Sequence, residues 1–319
     1  MDPATAPLIS IPEAPAPVGA QAAWLQGSGD VRLRTAWFPL PGAALGSVML
    51  SPGRTEPIEK YFETVRDLHR RGFQVLAHDW RGQGLSQRLA PDPLKGHADG
   101  LEPFLSDVHA VLEHYRDRLT GALVAVAHSM GAALTLLALA RGEGPFAGAV
   151  LSAPMLAVST EPAPRAAARL IASSMRMSGL GDAWALKGVD PLHETFEGNH
   201  LTHDHMRYAR YKAQLRACPE LRLGGVTWGW LDFALRLESA IAQPGVLEAL
   251  STPVRIVGGG AESLVLNEPM RDAARRLPRG SYVEIPDARH EILMETDNRR
   301  DQFWREFDIL ADEISSPSA

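Results

Sequence analysis

Apolar positions along the chain fall into short runs separated by longer amphipathic windows. The short runs lie at 31–38, 46–50, 73–79, 122–128, 146–154, 253–258 and 282–286. The first alternates apolar with polar residues and reads as a half-buried strand. The nearly continuous ones read as strands buried on both faces. Between them, 61–71 repeats apolar residues at helical spacing (Phe62, Val65, Leu68), and Gly72 ends it. The window 105–119 places Val108, Val111, Leu112 and Tyr115 on one face, and further helices are predicted over 268–277 and 298–314. Strand and helix patterns alternate, which predicts an α/β fold: a mostly parallel sheet covered by helices on both faces.

The alternation breaks between 155 and 235. Strand patterns vanish there, Pro, Gly, His and Trp are frequent, and short helical pieces are predicted at 166–177 and 206–215. An insertion between two strands of a parallel sheet, on its reactive side, reads as a cap or lid. The predicted organisation is a core over 21–154 and 236–314, a cap over 155–235 and a mobile N-terminal tail over 1–20. Pro3, Pro7, Pro12, Pro15 and Pro17 make that tail a poor helix and a poor strand. Residues 315–319 are expected to fray.

The apolar stretch 122–140 is long enough for a membrane span. His128, Ser129 and Gly131 at its middle argue instead for a strand that turns into a buried helix. The chain has 319 residues, 45% hydrophobic and 22% charged, which suits one globular body with a sizeable core. Its net charge of -6 argues against a nucleic-acid surface. Cys218 is the single cysteine, read as a small buried residue, so no internal disulfide can form. No Lys or Arg precedes Arg32 and no continuous apolar run opens the chain, so no secretory signal is expected.

Loops at the carboxyl ends of parallel strands carry chemistry, and 51–54, 79–86 and Ser129 sit there. A strand turning sharply into a helix at a serine needs small residues two before and two after it, and here they are Ala127 and Gly131. Ser129 is therefore the candidate nucleophile, and the Met130 amide one oxyanion donor. A serine needs a histidine base and an acid, in the order serine, acid, histidine. His290 follows the last strand directly. Glu262 is the carboxylate in the loop after 253–258 and is favoured as the acid, with Asp287 as its rival. The second oxyanion donor is expected after the early strand, at the Arg54 amide beside Gly53. His128 is read as a packed, hydrogen-bonded histidine, and the Asp79–Ser86 loop as a shaper of the site. His200, His203 and His205 match no compact ligand set, and the chemistry calls for no metal or cofactor. Trp184, Trp228, Trp230 and Phe233, with Met175 and Met177, either bind substrate as an acyl pocket or form the cap's own core.

Ala127-His-Ser-Met-Gly131, His78-Asp-Trp-Arg-Gly-Gln-Gly-Leu-Ser86 and Ala288-Arg-His-Glu-Ile-Leu-Met294 resemble the lysophospholipase L2 and monoacylglycerol lipase group of serine hydrolases. Asn199-His-Leu-Thr and Gly224-Gly-Val-Thr-Trp-Gly-Trp-Leu231 resemble the cap of its bacterial lysophospholipase branch. The likeness spans about 25–312. Three positions depart from it: Ala127 replaces a glycine, Pro52-Gly53 replaces a His-Gly pair, and the acid loop is unusually glycine-rich and carries Glu. The resemblance implies an α/β-hydrolase with Ser129, Glu262 and His290 as triad and Arg54 and Met130 as oxyanion donors. It also implies a small amphiphilic ester as substrate, no nucleic-acid partner, and a cytoplasmic location with transient membrane-surface contact. A general carboxylesterase, a lactonase, a peptidase or a non-catalytic binding protein are the alternatives.

Overall fold

The computed structural model describes residues 5–160 and 163–315. Its main sheet has eight strands: β1 (Gln21–Gln26), β2 (Arg32–Phe38), β3 (Gly46–Ser51), β4 (Phe73–His78), β5 (Ala122–His128), β6 (Phe146–Ser152), β9 (Val254–Gly259) and β10 (Gly280–Ile285). A two-stranded pair, β7 (Trp184–Leu186) and β8 (Val226–Thr227), stands apart. The spatial order is β1-β2-β4-β3-β5-β6-β9-β10. β1 and β2 join antiparallel, and every pairing from β4 to β10 is parallel.

The period-two alternation of strand side chains divides the core into two layers. Val48, Leu50, Val75, Val124, Val126, Val257 and Ile285 pack with Phe62, Val65 and Leu68 of α1 (Phe62–Arg70) and Phe303, Phe307 and Leu310 of α8 (Asp297–Ser315). Met49, Leu76, Leu123, Ala125, Leu151 and Ile256 face the other way. They meet α2 (Glu102–Tyr115), α3 (Ser129–Ala140) and α7 (Asn267–Arg276). The central strand β5 and the helix after it are buried almost throughout. The continuous apolar stretch is thus a strand and a short helix of a covered sheet. Among the described residues no helix is long and apolar enough to cross a membrane.

Between β6 and β9 lie α4 (Arg165–Met175), the β7–β8 pair, α5 (His205–Ala217) and α6 (Trp228–Ala242). Three expectations need correction here. The insertion does contain strands, too short for a two-residue period to register. α6 runs straight through residue 235, because it is apolar on two faces: Phe233 and Leu237 pack into the layer that holds α3, while Leu235 faces Ala168 and Ala172 of α4. Residues 5–20, expected as a mobile tail, lie along the body instead. Ala6 and Ala14 are buried, the Ala6 amide donates to the Ala22 carbonyl at 3.0 Å, and the Arg34 guanidinium donates to the Pro7 carbonyl at 3.0 Å. Proline removes a donor but leaves a carbonyl, and those carbonyls are the handles used. Of the end expected to fray over 315–319, Ser315 closes α8; 316–319, and residues 1–4 of the tail, lie outside the described residues.

Candidate active site

Ser129 opens α3 with φ 50, in the left-handed region that L-residues rarely occupy. The turn is held by close approaches. A Cβ on Gly131 would stand 2.2 Å from the Pro52 carbonyl oxygen and 2.6 Å from that of Ser51, and Ala127 is fully buried. Larger side chains at these positions have nowhere to go. The Met155 amide, just past β6, donates to the Ser129 carbonyl at 3.0 Å and ties down the other side.

His290 meets this serine. Its Nε2 lies 2.9 Å from Ser129 Oγ, and its Nδ1 lies 2.7 Å from Glu262 Oε2. Glu262 Oε1 accepts from the amides of Ser263 and Leu264, both at 2.8 Å. Burial would raise the Glu262 carboxyl. The bond and charge of His290, with the loop amides, outweigh that and hold it below the ordinary carboxylate range. Asp287 takes the left-handed corner of the histidine loop at φ 54 and is exposed, so Glu262 rather than its rival meets His290. The glycine-rich acid loop has a steric reason. A Cβ on Gly259 would reach within 2.4 Å of the Ala288 carbonyl, and one on Gly260 within 3.0 Å of the Asp287 amide. The two loops cross too closely for side chains.

The loop 52–54, expected to carry an oxyanion donor, lies against the serine from the other side. A Cβ on Gly53 would stand 3.2 Å from Ser129 Cβ and 2.7 Å from His128 Nδ1. The loop is held by its neighbours: Trp80 Nε1 donates to the Pro52 carbonyl at 2.8 Å, and Gln83 Nε2 to the Gly53 carbonyl at 3.1 Å. The 79–86 loop thus braces the backbone at Pro52 and Gly53. Asp79 itself is spent on Arg34 and on the Ile58 and Leu85 amides. The Met130 amide sits in the first turn of α3, where no preceding carbonyl is available to it. No acceptor takes the Arg54 amide among the described residues.

Sequence reasoning missed Glu56. Its buried carboxylate accepts from the Gly53 amide at 2.6 Å, from Lys60 Nζ at 2.9 Å, from the Tyr61 hydroxyl and from His128 Nδ1 at 2.8 Å. Lys60 continues to Glu291 Oε1 at 2.5 Å, next to His290. The other nitrogen of His128, Nε2, points at the His290 carbonyl at 3.1 Å. Both partners of that ring are acceptors, so both nitrogens must donate, and His128 is an imidazolium. Burial opposes its charge, but Glu56 outweighs burial and raises its pKa. Glu56 in turn is held well below the ordinary range against its own burial, by His128 and Lys60. The signal in the sequence is slight: a carboxylate three residues after a glycine can close a turn onto that glycine's amide.

The cap reaches the histidine loop through 199–203. The Thr202 hydroxyl donates to the Met294 carbonyl at 2.6 Å, the Glu291 amide donates to the Leu201 carbonyl at 2.9 Å, and Arg289 holds the Asn199 and Thr202 carbonyls. His203 Nδ1 lies 2.7 Å from Glu295 Oε1. Of the three tryptophans singled out, Trp230 lines a small space with Met130, Phe104 and Leu223. Trp228 belongs to the cap's own cluster with Ala168, Ala172 and Leu235, and Trp184 lies on β7 beneath Lys95. Phe233 stacks on Phe104, while Met177 is exposed. Cys218 is only half-buried, its thiol raised to about 11 by burial and by Glu220. A groove of about 860 Å³ between 84–94 and 219–222 contains none of the catalytic candidates.

A serine at a left-handed strand-to-helix turn, in line with a histidine and a carboxylate on a mostly parallel sheet, defines an α/β hydrolase. The chain belongs to the family described as "Serine aminopeptidase, S33", whose model matches residues 42–297. It is 29% identical over 279 residues to "Probable lysophospholipase L2" of Haemophilus influenzae, covering 87% of each chain. It is 31% identical over 269 residues to "Lysophospholipase L2" of Escherichia coli K12, covering 79% of this chain and 76% of the other. Among solved structures, a soluble variant of the monoglyceride lipase of Saccharomyces cerevisiae superposes with a TM-score of 0.72 at 18% identity, over 92% and 95% of the two chains. The monoacylglycerol lipase of Paleococcus ferrophilus gives 0.67 at 21%, over 88% and 98%.

Proposed function

We propose that this carboxylic ester hydrolase cleaves single-chain lipids, lysophospholipids or monoacylglycerols, through an acyl-enzyme on Ser129. The observation that carries the reading is the continuous line Glu262–His290–Ser129. His290 takes the proton of the Ser129 hydroxyl as its oxygen bonds to the ester carbonyl carbon. The carbonyl oxygen becomes an oxyanion between the Arg54 and Met130 amides, with the first-turn position on α3 adding its dipole. His290 then gives its proton to the leaving alcohol as the ester bond breaks. A water, deprotonated by His290, attacks the acyl carbon and releases the fatty acid and Ser129. Glu262, ionised and anchored by loop amides, holds the ring orientation and balances the imidazolium. The residues 155–235 act as a lid that selects the acyl chain, with Trp230 beside Met130 as its nearest wall.

The lipid assignment draws support from the lysophospholipase relatives. We also place the protein in the cytoplasm, touching the inner membrane face. Leu170, Ile171, Met177 and Leu180 stand exposed together on and just after α4, a patch suited to that contact. Arg165 and Arg176 nearby are paired with Glu238 and Asp232.

Purified protein should release oleate from 1-oleoyl-lysophosphatidylcholine or monoolein. Fast turnover of short esters with no release from either lipid would sink the lipid assignment. A fluorophosphonate probe should label Ser129, and Ser129→Ala or His290→Ala should abolish labelling and lower kcat by roughly 10⁴-fold or more. Labelling that survives in both variants would overturn the triad.

A further inference from the structure

The Arg54 side chain has a circumstance that its amide does not explain. The buried arginines Arg34, Arg81, Arg207 and Arg300 each meet a carboxylate: Arg34 with Glu59 and Asp79, Arg81 with Asp107, Arg207 with Glu63, Arg300 with Asp67. Arg54 is half-buried where the oxyanion loop expected from the sequence meets the cap, yet among the described residues no carboxylate forms an ion pair with it. One terminal nitrogen donates to the Gly224 carbonyl of the cap, and Nε is sealed from solvent with no acceptor. The carboxylate whose charge it feels, Glu194, is paired with Lys212 at 3.2 Å. Tyr211, also close, donates its hydroxyl to the Thr55 carbonyl. Burial pushes the guanidinium down to about 10, the mark of a cation without its counter-charge.

The position of this group is specific. It lies over the Trp230 ring, 5.3 Å from guanidinium carbon to ring centroid, and Trp230 lines the space that also holds Met130. A Cβ on Gly96 would stand 2.9 Å from its terminal nitrogen, so glycine there leaves the guanidinium its place. The backbone of Arg54 therefore sits at the expected oxyanion position while its cation sits one side chain away, under the cap. In a lysophospholipid, the phosphodiester lies one glycerol backbone away from the scissile ester. Monoacylglycerols offer only a neutral hydroxyl at that place.

We propose that the Arg54 guanidinium recognises the phosphodiester of a lysophospholipid headgroup and sets a preference for phosphate-bearing esters over neutral monoacylglycerols. The inference rests on the single-chain lipid reading above. A guanidinium suits this task because its planar fork matches phosphate oxygens and its charge has no carboxylate of its own.

The test compares kcat/KM for 1-oleoyl-lysophosphatidylcholine and for monoolein in the same detergent micelles, for the wild type, Arg54→Met and Arg54→Lys. The backbone amide is retained in every variant. The ratio of the two values should favour the lysophospholipid in the wild type. It should fall about 30-fold in Arg54→Met, and Arg54→Lys should restore part of it. Fluorophosphonate labelling reports whether each variant keeps an assembled site. If Arg54→Met does not label, Arg54→Gln, which keeps a donor for the Gly224 carbonyl, supplies the same comparison. A fall of both rates by a common factor would make Arg54 a strut between oxyanion loop and cap, and would overturn the proposal alone. A wild type that turns over neither lipid would overturn the lipid reading, and this inference with it.

Discussion

His128 stands next to Ser129 in the chain, but it serves the site through partners far away in sequence. As an imidazolium between the Glu56 carboxylate and the His290 carbonyl, it joins the 52–56 loop to the histidine loop. Lys60 and Glu291 face the same cluster, and Tyr61 and Tyr211 close it. Its pH dependence has a definite sign. His128 is raised above 6.5 in the folded state, so its contribution is complete below that value and is lost as pH rises through the folded one. Glu56 is depressed below 4.5, so its contribution is complete above that value and is lost as pH falls through the folded one. The pair is thus strongest between about 4.5 and 6.5 and weakens on the alkaline side. The melting temperature of the wild type should fall as pH is raised above 7, and Glu56→Gln should remove most of that slope. It should also cost about 3–5 kcal/mol near pH 6, the penalty for stranding a buried partner. Parallel melting profiles for the two proteins across this range would contradict the assignment. Ser129 and His290 were legible because turn sterics and chain order mark them locally. Glu56 was not, because its meaning comes from partners that only the folded sheet brings to it.

At the level of elements, the strands of the parallel sheet declared themselves because burial on both faces leaves a continuous apolar run. β1 did not. Its outer side carries only the bond of Ala6 to Ala22 and an isolated bridge of Thr5 to Ala23, and most of its residues are partly exposed, so no clean alternation survives. α6 hid for the opposite reason, being apolar toward both core and cap. The segment 199–203, whose histidines match no ligand set, is a staple. The Thr202 hydroxyl is buried, donates to Met294 and accepts from the Asp204 amide at 2.9 Å. Thr202→Val keeps the shape and removes both bonds. We expect a stability loss of about 1–3 kcal/mol and a drop in kcat of about tenfold from a loosened His290 loop, with KM little changed. A variant that melts early but keeps full kcat would show that the staple supports the fold without tuning the base.

For the molecule as a whole, alternation of strand and helix patterns was enough to give the layered sheet and the place of the insertion. It could not show that the proline-rich start is part of the body, since proline hides a segment from both helix and strand periodicities without preventing it from being tied by its carbonyls. Removing residues 1–20 would strip the Ala6–Ala22 and Pro7–Arg34 bonds and that of the Ile9 amide to Glu59 at 3.0 Å. At about 1 kcal/mol for each, the melting temperature should fall by roughly 6 °C; an unchanged transition by calorimetry would show the segment to be idle. The staple at 199–203 has a further consequence for how such enzymes can exchange parts. Because the loop of His290, the proposed base, leans on backbone groups supplied by the insertion, the insertion is not a free cassette. A chimera that swaps the region between β6 and β9 for that of a relative inherits a foreign support for its own histidine. The graft that preserves turnover is one cut before residue 199, leaving the staple with the host sheet and moving only the outer lid.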